Sequence, residues 1–220
     1  MSELTLYSYW RSSAAYRVRI ALNLKNVPYQ TIPIHLVKDG GQQHQPDYRA
    51  VNPQGLVPSL RLADGTVLTQ SVAIIEYLEA AYPEPSLLPS DPVEAAKVRA
   101  MGLLVACDVH PLNNLRVLQY LKESLKVVPD EVSKWYHHWI CEGFTALEKL
   151  LAKTSGQCCW GDVPSFADVC LVPQVYNARR FNVDMSAFPN IVRVDGYLQT
   201  LEAFAAAAPE NQIDAVLAKE

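Results

Sequence analysis

Four prolines, Pro83, Pro85, Pro89 and Pro92, fall within ten residues, and no other feature divides this chain so firmly. Each fixes φ and removes a backbone donor, so neither helix nor sheet can run through the segment. Before it, strand and helix patterns alternate; after it, only long helical patterns occur. The spacing predicts two domains, 1–83 and 93–220, joined by a linker at 84–92. With 220 residues, half of them hydrophobic and 19% charged, the chain has material for a core in each.

Leu4 to Ser8 alternates apolar and polar residues as a short strand does, and a polar loop from Tyr9 to Ser12 follows. Ser12 or Ser13 can cap a helix that carries Val18, Ala21 and Leu22 on one face and stops at Asn26, before Pro28. Tyr29 to Leu36, with Ile32 and Ile34 in alternation, is a second strand; the helix becomes a crossover and the pair lies parallel. Val57 to Leu62 and Thr66 to Thr69 flank an Ala63-Asp64-Gly65 turn and predict an antiparallel hairpin. Ser71 is placed as the cap of a helix through Tyr82.

The order βαβ then ββα is the thioredoxin-like layout, an α/β domain in which Pro58, at the start of the third strand, is expected to be cis. Beyond the linker, helical patterns cover 93–122, 130–153, 166–181 and 190–206 and predict an all-α domain. Pro111 is expected to kink the first, and Ser165 with Asp168 reads as a capping box at the start of the third.

Bulk properties exclude several function classes. A net charge of −4 gives no long-range attraction for nucleic acid, so a small partner is expected. No basic stretch leads into an apolar run, and no 18 apolar residues follow one another, which points away from secretion and membranes and toward the cytoplasm. Five cysteines, without Cys-x-x-Cys or Cys/His metal spacing, read as reduced, mostly buried thiols and no metal site.

Chemistry is expected where strands give way to helices. At Ser12 and Ser13 two hydroxyls meet the free N–H groups and positive end of a helix, a place for a thiolate or another anion; capping alone is the other reading. Gln70 and Ser71 form a second such junction, fit for a carboxylate. Val57, preceding Pro58, can offer its backbone to a peptide in strand-like pairing. A small tripeptide satisfies all three places.

The run Ser12-Ser13-Ala14-Ala15-Tyr16-Arg17-Val18-Arg19-Ile20-Ala21-Leu22 resembles the Ser-Ser-Cys-x-x-Arg-Val-Arg-Ile-Ala-Leu motif of zeta-class glutathione transferases and maleylacetoacetate isomerases. So do the stretches Asn52 to Pro58, Gln70 to Leu78 and Asp168 to Phe181, and the likeness extends over nearly the whole chain. It implies the two-domain glutathione transferase fold, glutathione as cofactor and a homodimer. The implied reaction is cis–trans isomerisation of maleylacetoacetate in aromatic amino acid degradation. Maleylpyruvate isomerisation, transfer to small α-halo acids and a non-catalytic scaffold are the alternatives.

Ala14 stands where many members have cysteine, which removes an enzyme nucleophile and leaves the attack to the thiol of glutathione. The resemblance then makes Ser12 the group that stabilises the thiolate, with Ser13 its neighbour in reserve. It assigns Gln43 and Val57 to the glutathione backbone and Gln70 with Ser71 to the γ-glutamyl end. His110, Asn114 and Arg116 would contact glutathione or substrate, though a histidine beside a proline also reads as structural. A diacid needs fixed cations, and Arg11 and Arg180 are the candidates. Arg17, Arg19 and Arg179 are expected to be solvated or internally paired.

Overall fold

A computed structural model of the protein describes residues 4–216. They form two compact units: residues up to Ser86 together with those from Leu201 onward, and Leu87–Thr200. The expected helical domain was continuous from 93; instead its last segment belongs to the N-terminal unit. Residues 1–3 and 217–220 of the expected domains lie outside the described residues.

In the first unit, strands β1 (Leu4–Ser8), β2 (Tyr29–Pro33), β3 (Ser59–Arg61) and β4 (Val67–Thr69) make one sheet in the order β2-β1-β3-β4. The β1–β2 pair is parallel and the other two are antiparallel. Helices α1 (Ser13–Leu24), α2 (Pro46–Val51) and α3 (Ser71–Ala81) complete the expected βαβ–ββα layout, with α2 as an addition. Leu6 and Leu60, paired across β1 and β3, share one sheet face and have no exposure. On the other face, Tyr48 of α2 packs against Tyr7 and Ile34. Its hydroxyl donates to Leu56 O at 2.6 Å, so the 3.0 Å contact with Ser59 must run from the serine hydroxyl.

Several local expectations hold. The Val57–Pro58 bond is cis, and Asn26, with φ 52°, follows the last turn of α1 in the left-handed conformation that asparagine tolerates. Gly65 turns the hairpin with φ 90°. The strand at 29 is shorter than expected because the N–H of Ile34 closes the ladder on Ser8 O at 2.7 Å, and the chain then leaves the sheet. Ser71 is not the cap of α3: it is the first helical residue, and Gln70 occupies the cap position.

The largest departure inside this unit concerns α1. Arg17 and Arg19 are not solvated but buried, at 1% and 0% exposure. Arg19 donates to Ser8 Oγ (3.1 Å), Tyr9 O (3.5 Å) and Trp10 O (3.1 Å), all in or beside the loop that leads into α1. Lys25, also buried, bonds Tyr82 O at 2.7 Å and Pro85 O at 3.0 Å and pairs with Glu79 at 2.8 Å, using all three ammonium protons. It thereby ties the end of α1 to the end of α3.

The second unit is all helical. α4 (Pro92–Leu103) starts on Asp91, whose Oδ1 accepts from the N–H groups of Val93 (3.0 Å) and Glu94 (2.9 Å). The single helix expected over 93–122 is instead a series. Wide i→i+5 turns at Leu104–Val109 precede the short α5 (His110–Asn113), the chain breaks at Asn114 with ψ 163°, and α6 (Leu115–Gln119) follows before a second wide stretch at Tyr120–Ser124. Pro111 has no N–H and its ring would strike a carbonyl one turn earlier in a regular helix; the widened turn before it removes that clash. α7 (Pro129–Thr154), α8 (Phe166–Arg180) and α9 (Pro189–Leu198) complete the unit. Gly143 of α7 lies where any side chain would collide with Val109, so the widened segment packs directly on the helix backbone.

The box at the start of α8 is present. Asp168, fully buried, accepts from the Ser165 N–H (2.8 Å), the Ser165 hydroxyl (2.7 Å) and the Cys159 N–H (2.7 Å). Burial pushes its carboxyl above the ordinary carboxylate range, and those donors pull it back. Burial first, then the charge of Asp168, pushes the Cys158 thiol up to about 12. Cys158, Cys159 and Cys170 are all buried and form no disulfide among the described residues, and burial keeps Cys158 and Cys159 in the thiol form.

The helix expected over 190–206 ends at Leu198, where the Thr200 hydroxyl donates to Tyr197 O at 2.7 Å. The chain then returns to the first unit as α10 (Glu202–Ala207) and α11 (Ile213–Val216). Ala207 O accepts from Arg19 Nε at 2.9 Å, Ala203 O accepts from Asn23 at 3.0 Å, and Asp214 Oδ2 accepts from the Trp10 N–H at 2.9 Å.

Replacing Asp168 with alanine strips a buried cap of its acceptor and orphans three donors. Urea unfolding of Asp168→Ala is expected to show a loss of about 3 kcal/mol, and Ser165→Ala about 1 kcal/mol.

Candidate functional site

The loop from Tyr9 to Ser12 is held from both sides before α1 begins. Arg19 takes its carbonyls, Asp214 takes the N–H of Trp10, and the Ser12 N–H closes a turn on Tyr9 O at 2.9 Å. Tyr9, Trp10 and Ala215 form a small buried cluster, with Leu36 and Val57 packed against it. Ser12 leaves this loop as the N-cap of α1, in extended conformation, and its Oγ accepts from the Ala15 N–H at 3.2 Å. That bond uses a lone pair, so the hydroxyl proton stays available to donate. Ser12 is half-buried, whereas Ser13 is buried at 5% exposure. The two serines thus have different surroundings, one at the cap and one in the interior.

Arg11 is exposed, its guanidinium carbon 3.9 Å from the centre of the Trp10 ring, which orients the charge without neutralising it.

At the start of α3, Gln70 adopts φ 69° and ψ 116°, a positive φ that a residue with a side chain enters at a cost of about 1–3 kcal/mol. Its Nε2 donates to Gln54 Oε1 at 2.9 Å, joining the 52–56 loop to this corner. Ser71 is buried, and Arg17 Nη1 reaches its Oγ at 3.4 Å. The N-termini of α1 and α3 are thus linked through a buried cation. Sequence reasoning missed Arg17 and Gln54. Nothing in the residues around Arg17 marks it as interior; the structure buries nearly every position of α1 from Ser13 to Leu22, and the charge with it.

Val57 precedes the ladder, which starts at Ser59, so its backbone is not committed to β1. Gln43 is buried; its Nε2 donates to Leu36 O at 3.2 Å, and its Oε1 has no hydrogen-bond partner among the described residues. A buried acceptor of this kind calls for an N–H donor, which a peptide supplies. Arg11, Ser12, Ser13, Gln43, Val57, Gln70 and Ser71 all belong to the first unit, and Leu36, whose carbonyl accepts from Gln43, packs on the Tyr9–Trp10 cluster. A cavity of about 440 Å³ whose lining includes Tyr7, Ile34, Tyr48 and Asp47 contains none of them. The helix N-termini, where N–H groups and hydroxyls converge, are the better candidate for a small polar ligand.

His110, Asn114, Arg116 and Arg180 belong to the second unit. His110 opens α5 and is half-buried; Asn114 caps α6, its Oδ1 accepting from the Val117 N–H at 3.2 Å; Arg116 is exposed in the first turn of α6. Arg179 is anchored by Asp195 at 2.5 Å, as an internally paired arginine should be. Arg180 is exposed in the last turn of α8 and takes part in no ion pair among the described residues. Of the two adjacent arginines, it is the one with charge to offer.

Comparison with known proteins adds a second line of support. A family profile described as "Glutathione S-transferase, N-terminal domain" matches residues 6–86. A probable maleylacetoacetate isomerase of Vibrio cholerae is 52% identical, over 98% of this chain and all of the relative. Among solved structures, a bacterial maleylpyruvate isomerase described as a zeta-class glutathione S-transferase superposes with a TM-score of 0.92 at 46% identity, covering 96% of this chain and 99% of the other. A maleylacetoacetate isomerase of Methylobacterium extorquens AM1, with bound malonate and glutathione, superposes at 0.91 with 39% identity and the same coverage.

The strained corner at Gln70 gives a prediction independent of ligand. Glycine enters positive φ without the side-chain penalty, so Gln70→Gly is expected to raise folding stability by up to about 1 kcal/mol, read from the urea midpoint.

Proposed function

This chain belongs to the maleylacetoacetate isomerase family of zeta-class glutathione transferases, and from that membership we propose that it isomerises maleylacetoacetate to fumarylacetoacetate with glutathione as cofactor. Glutathione, when bound, supplies a thiolate that adds to the cis double bond beside the ketone and departs after rotation. The protein's own part is to bind, orient and stabilise charge.

The observation that carries this reading is Ser12 at the N-cap of α1. Its hydroxyl is fixed by the Ala15 N–H, keeps its proton, and sits at the positive end of a 12-residue helix. It is the donor assigned to the thiolate, and hydrogen bonding together with the helix end lowers the pKa of a thiol placed there. Ala14 offers no enzyme thiol to compete.

The buried Oε1 of Gln43 and the uncommitted backbone of Val57 would take the peptide groups of glutathione, while Gln70 and Ser71, with Arg17 behind them, would take the γ-glutamyl carboxylate. Arg11 and Arg180 would bind the two carboxylates of the substrate, and preorganised cations of this kind also favour charge that develops during addition. The malonate in the Methylobacterium relative, itself a short dicarboxylate, supports a diacid as substrate. His110, Asn114 and Arg116 are proposed as further contacts to glutathione or substrate. Among the described residues no helix is long and apolar enough to cross a membrane. We place the protein in the cytoplasm as a homodimer, degrading tyrosine-derived acids.

Maleylpyruvate is the second substrate to consider, because one of the well-matched structures is a maleylpyruvate isomerase. Loss of absorbance of each diacid, with and without glutathione, separates the readings. Isomerisation that persists undiminished after removal of all glutathione would refute the shared mechanism. Ser12→Ala is expected to reduce kcat about 100-fold or more while costing only about 1 kcal/mol of stability as a lost cap. Ser13→Ala, at a buried position, should keep kcat within a few-fold; equal losses for the two would reassign the thiolate donor.

A further inference from the structure

Given the reading that Arg180 binds a substrate carboxylate, we infer that Phe181, held by Tyr136 and His137 of α7, is the platform that positions the Arg180 guanidinium. The two neighbouring arginines of α8 meet different partners. Arg179 is fixed by a carboxylate, which also neutralises it. The guanidinium carbon of Arg180 lies 5.0 Å from the centre of the Phe181 ring. An aromatic face orients a guanidinium and leaves all its N–H donors and its charge for another partner. A long side chain held in this way loses less freedom when an anion arrives, so affinity rises without a new contact to the anion.

The ring is itself fixed on two sides. Tyr136, 1% exposed, stacks on it with centroids 4.0 Å apart and planes at 27°. His137 Nε2 lies 2.8 Å from Phe181 O. Because a carbonyl only accepts, that nitrogen carries the proton. Tyr136 and His137 are consecutive on α7, so one holds the ring and the other the backbone of the same residue.

The end of α8 is closed as well. Phe181 N–H bonds Asn177 O (3.0 Å), Asn182 N–H bonds Arg179 O (3.0 Å), and Val183 N–H bonds Ala178 O (2.9 Å), with Asn182 at φ 56°. Backbone and ring beneath Arg180 are therefore both immobilised. The charge of Arg180 reaches Tyr136: burial pushes the pKa of the tyrosine hydroxyl above its ordinary value, and the arginine works against that rise.

The test uses the full-length enzyme with saturating glutathione. Phe181→Leu keeps an apolar side chain and removes the ring. KM for the diacid is expected to rise about tenfold with kcat within twofold and with glutathione affinity by calorimetry unchanged; Phe181→Tyr should restore KM. In an Arg180→Ala background, Phe181→Leu should add nothing further to KM. His137→Ala should raise KM, whereas His137→Gln, which can still donate to the Phe181 carbonyl, should not, and this pair decides the matter should Phe181→Leu fail to fold. If Arg180→Ala raises KM but Phe181→Leu does not, or if the two effects simply add, the platform is wrong and the assignment of Arg180 survives. If Arg180→Ala leaves KM unchanged, both fall together.

Discussion

The N-terminal unit is organised around one fully buried guanidinium. Arg19 gives its donors to Ser8, Tyr9, Trp10 and Ala207, so that one side chain on α1 fastens the end of β1, the loop that follows and the returning C-terminal helix. A buried cation is costly unless its donors are satisfied, and carbonyls and a hydroxyl are among the acceptors of this one. The loop that leads to Ser12 is thereby held from within the unit. Arg17 reaches Ser71 from the same helix and ties in the second helix start. The free N–H groups of the two helix starts make this side of the unit a place for negative charge, although the protein as a whole is acidic.

Much of the fold was legible because the elements are locally specified. The alternation at Leu4 to Ser8, the Asp64-Gly65 turn and the Ser165–Asp168 box each carry their own chemistry, and each appears where expected. What failed to be legible depends on tertiary surroundings. Arg17 and Arg19 look like surface residues in any window of sequence, and only the covering of α1 on all sides makes them interior. The breaks after Leu103 and at Asn114 belong to the same class: Pro111 announced a disturbance, but a widened turn ahead of it and a full stop after it depend on how α7 packs at Gly143.

The candidate site divides in the same way. Its chemical types, two serines and a Gln-Ser pair at strand-to-helix junctions, were readable, since any helix start offers N–H groups. Their ranking came from the family resemblance and not from the residues themselves. Ser12 and Ser13 differ by one position in sequence but one is half-buried at the cap and the other interior, and Arg179 and Arg180 differ only because Asp195 meets the first. Such distinctions arise from which side of a helix faces a neighbour across dozens of residues, and no short motif contains them.

The return of α10 and α11 to the first unit makes that unit discontinuous in the chain, with the whole of 87–200 inserted before its completion. A ribosome reads the chain from its N-terminus, so the sheet and α1 emerge well before Ala207 and Asp214, which supply the outer acceptors for Arg19 and Trp10. During synthesis the nascent loop at Ser12 is left half-fastened until Ala207 and Asp214 have cleared the exit tunnel. The shape of the first helix start is thereby settled by residues translated long after it, on the far side of an entire inserted unit.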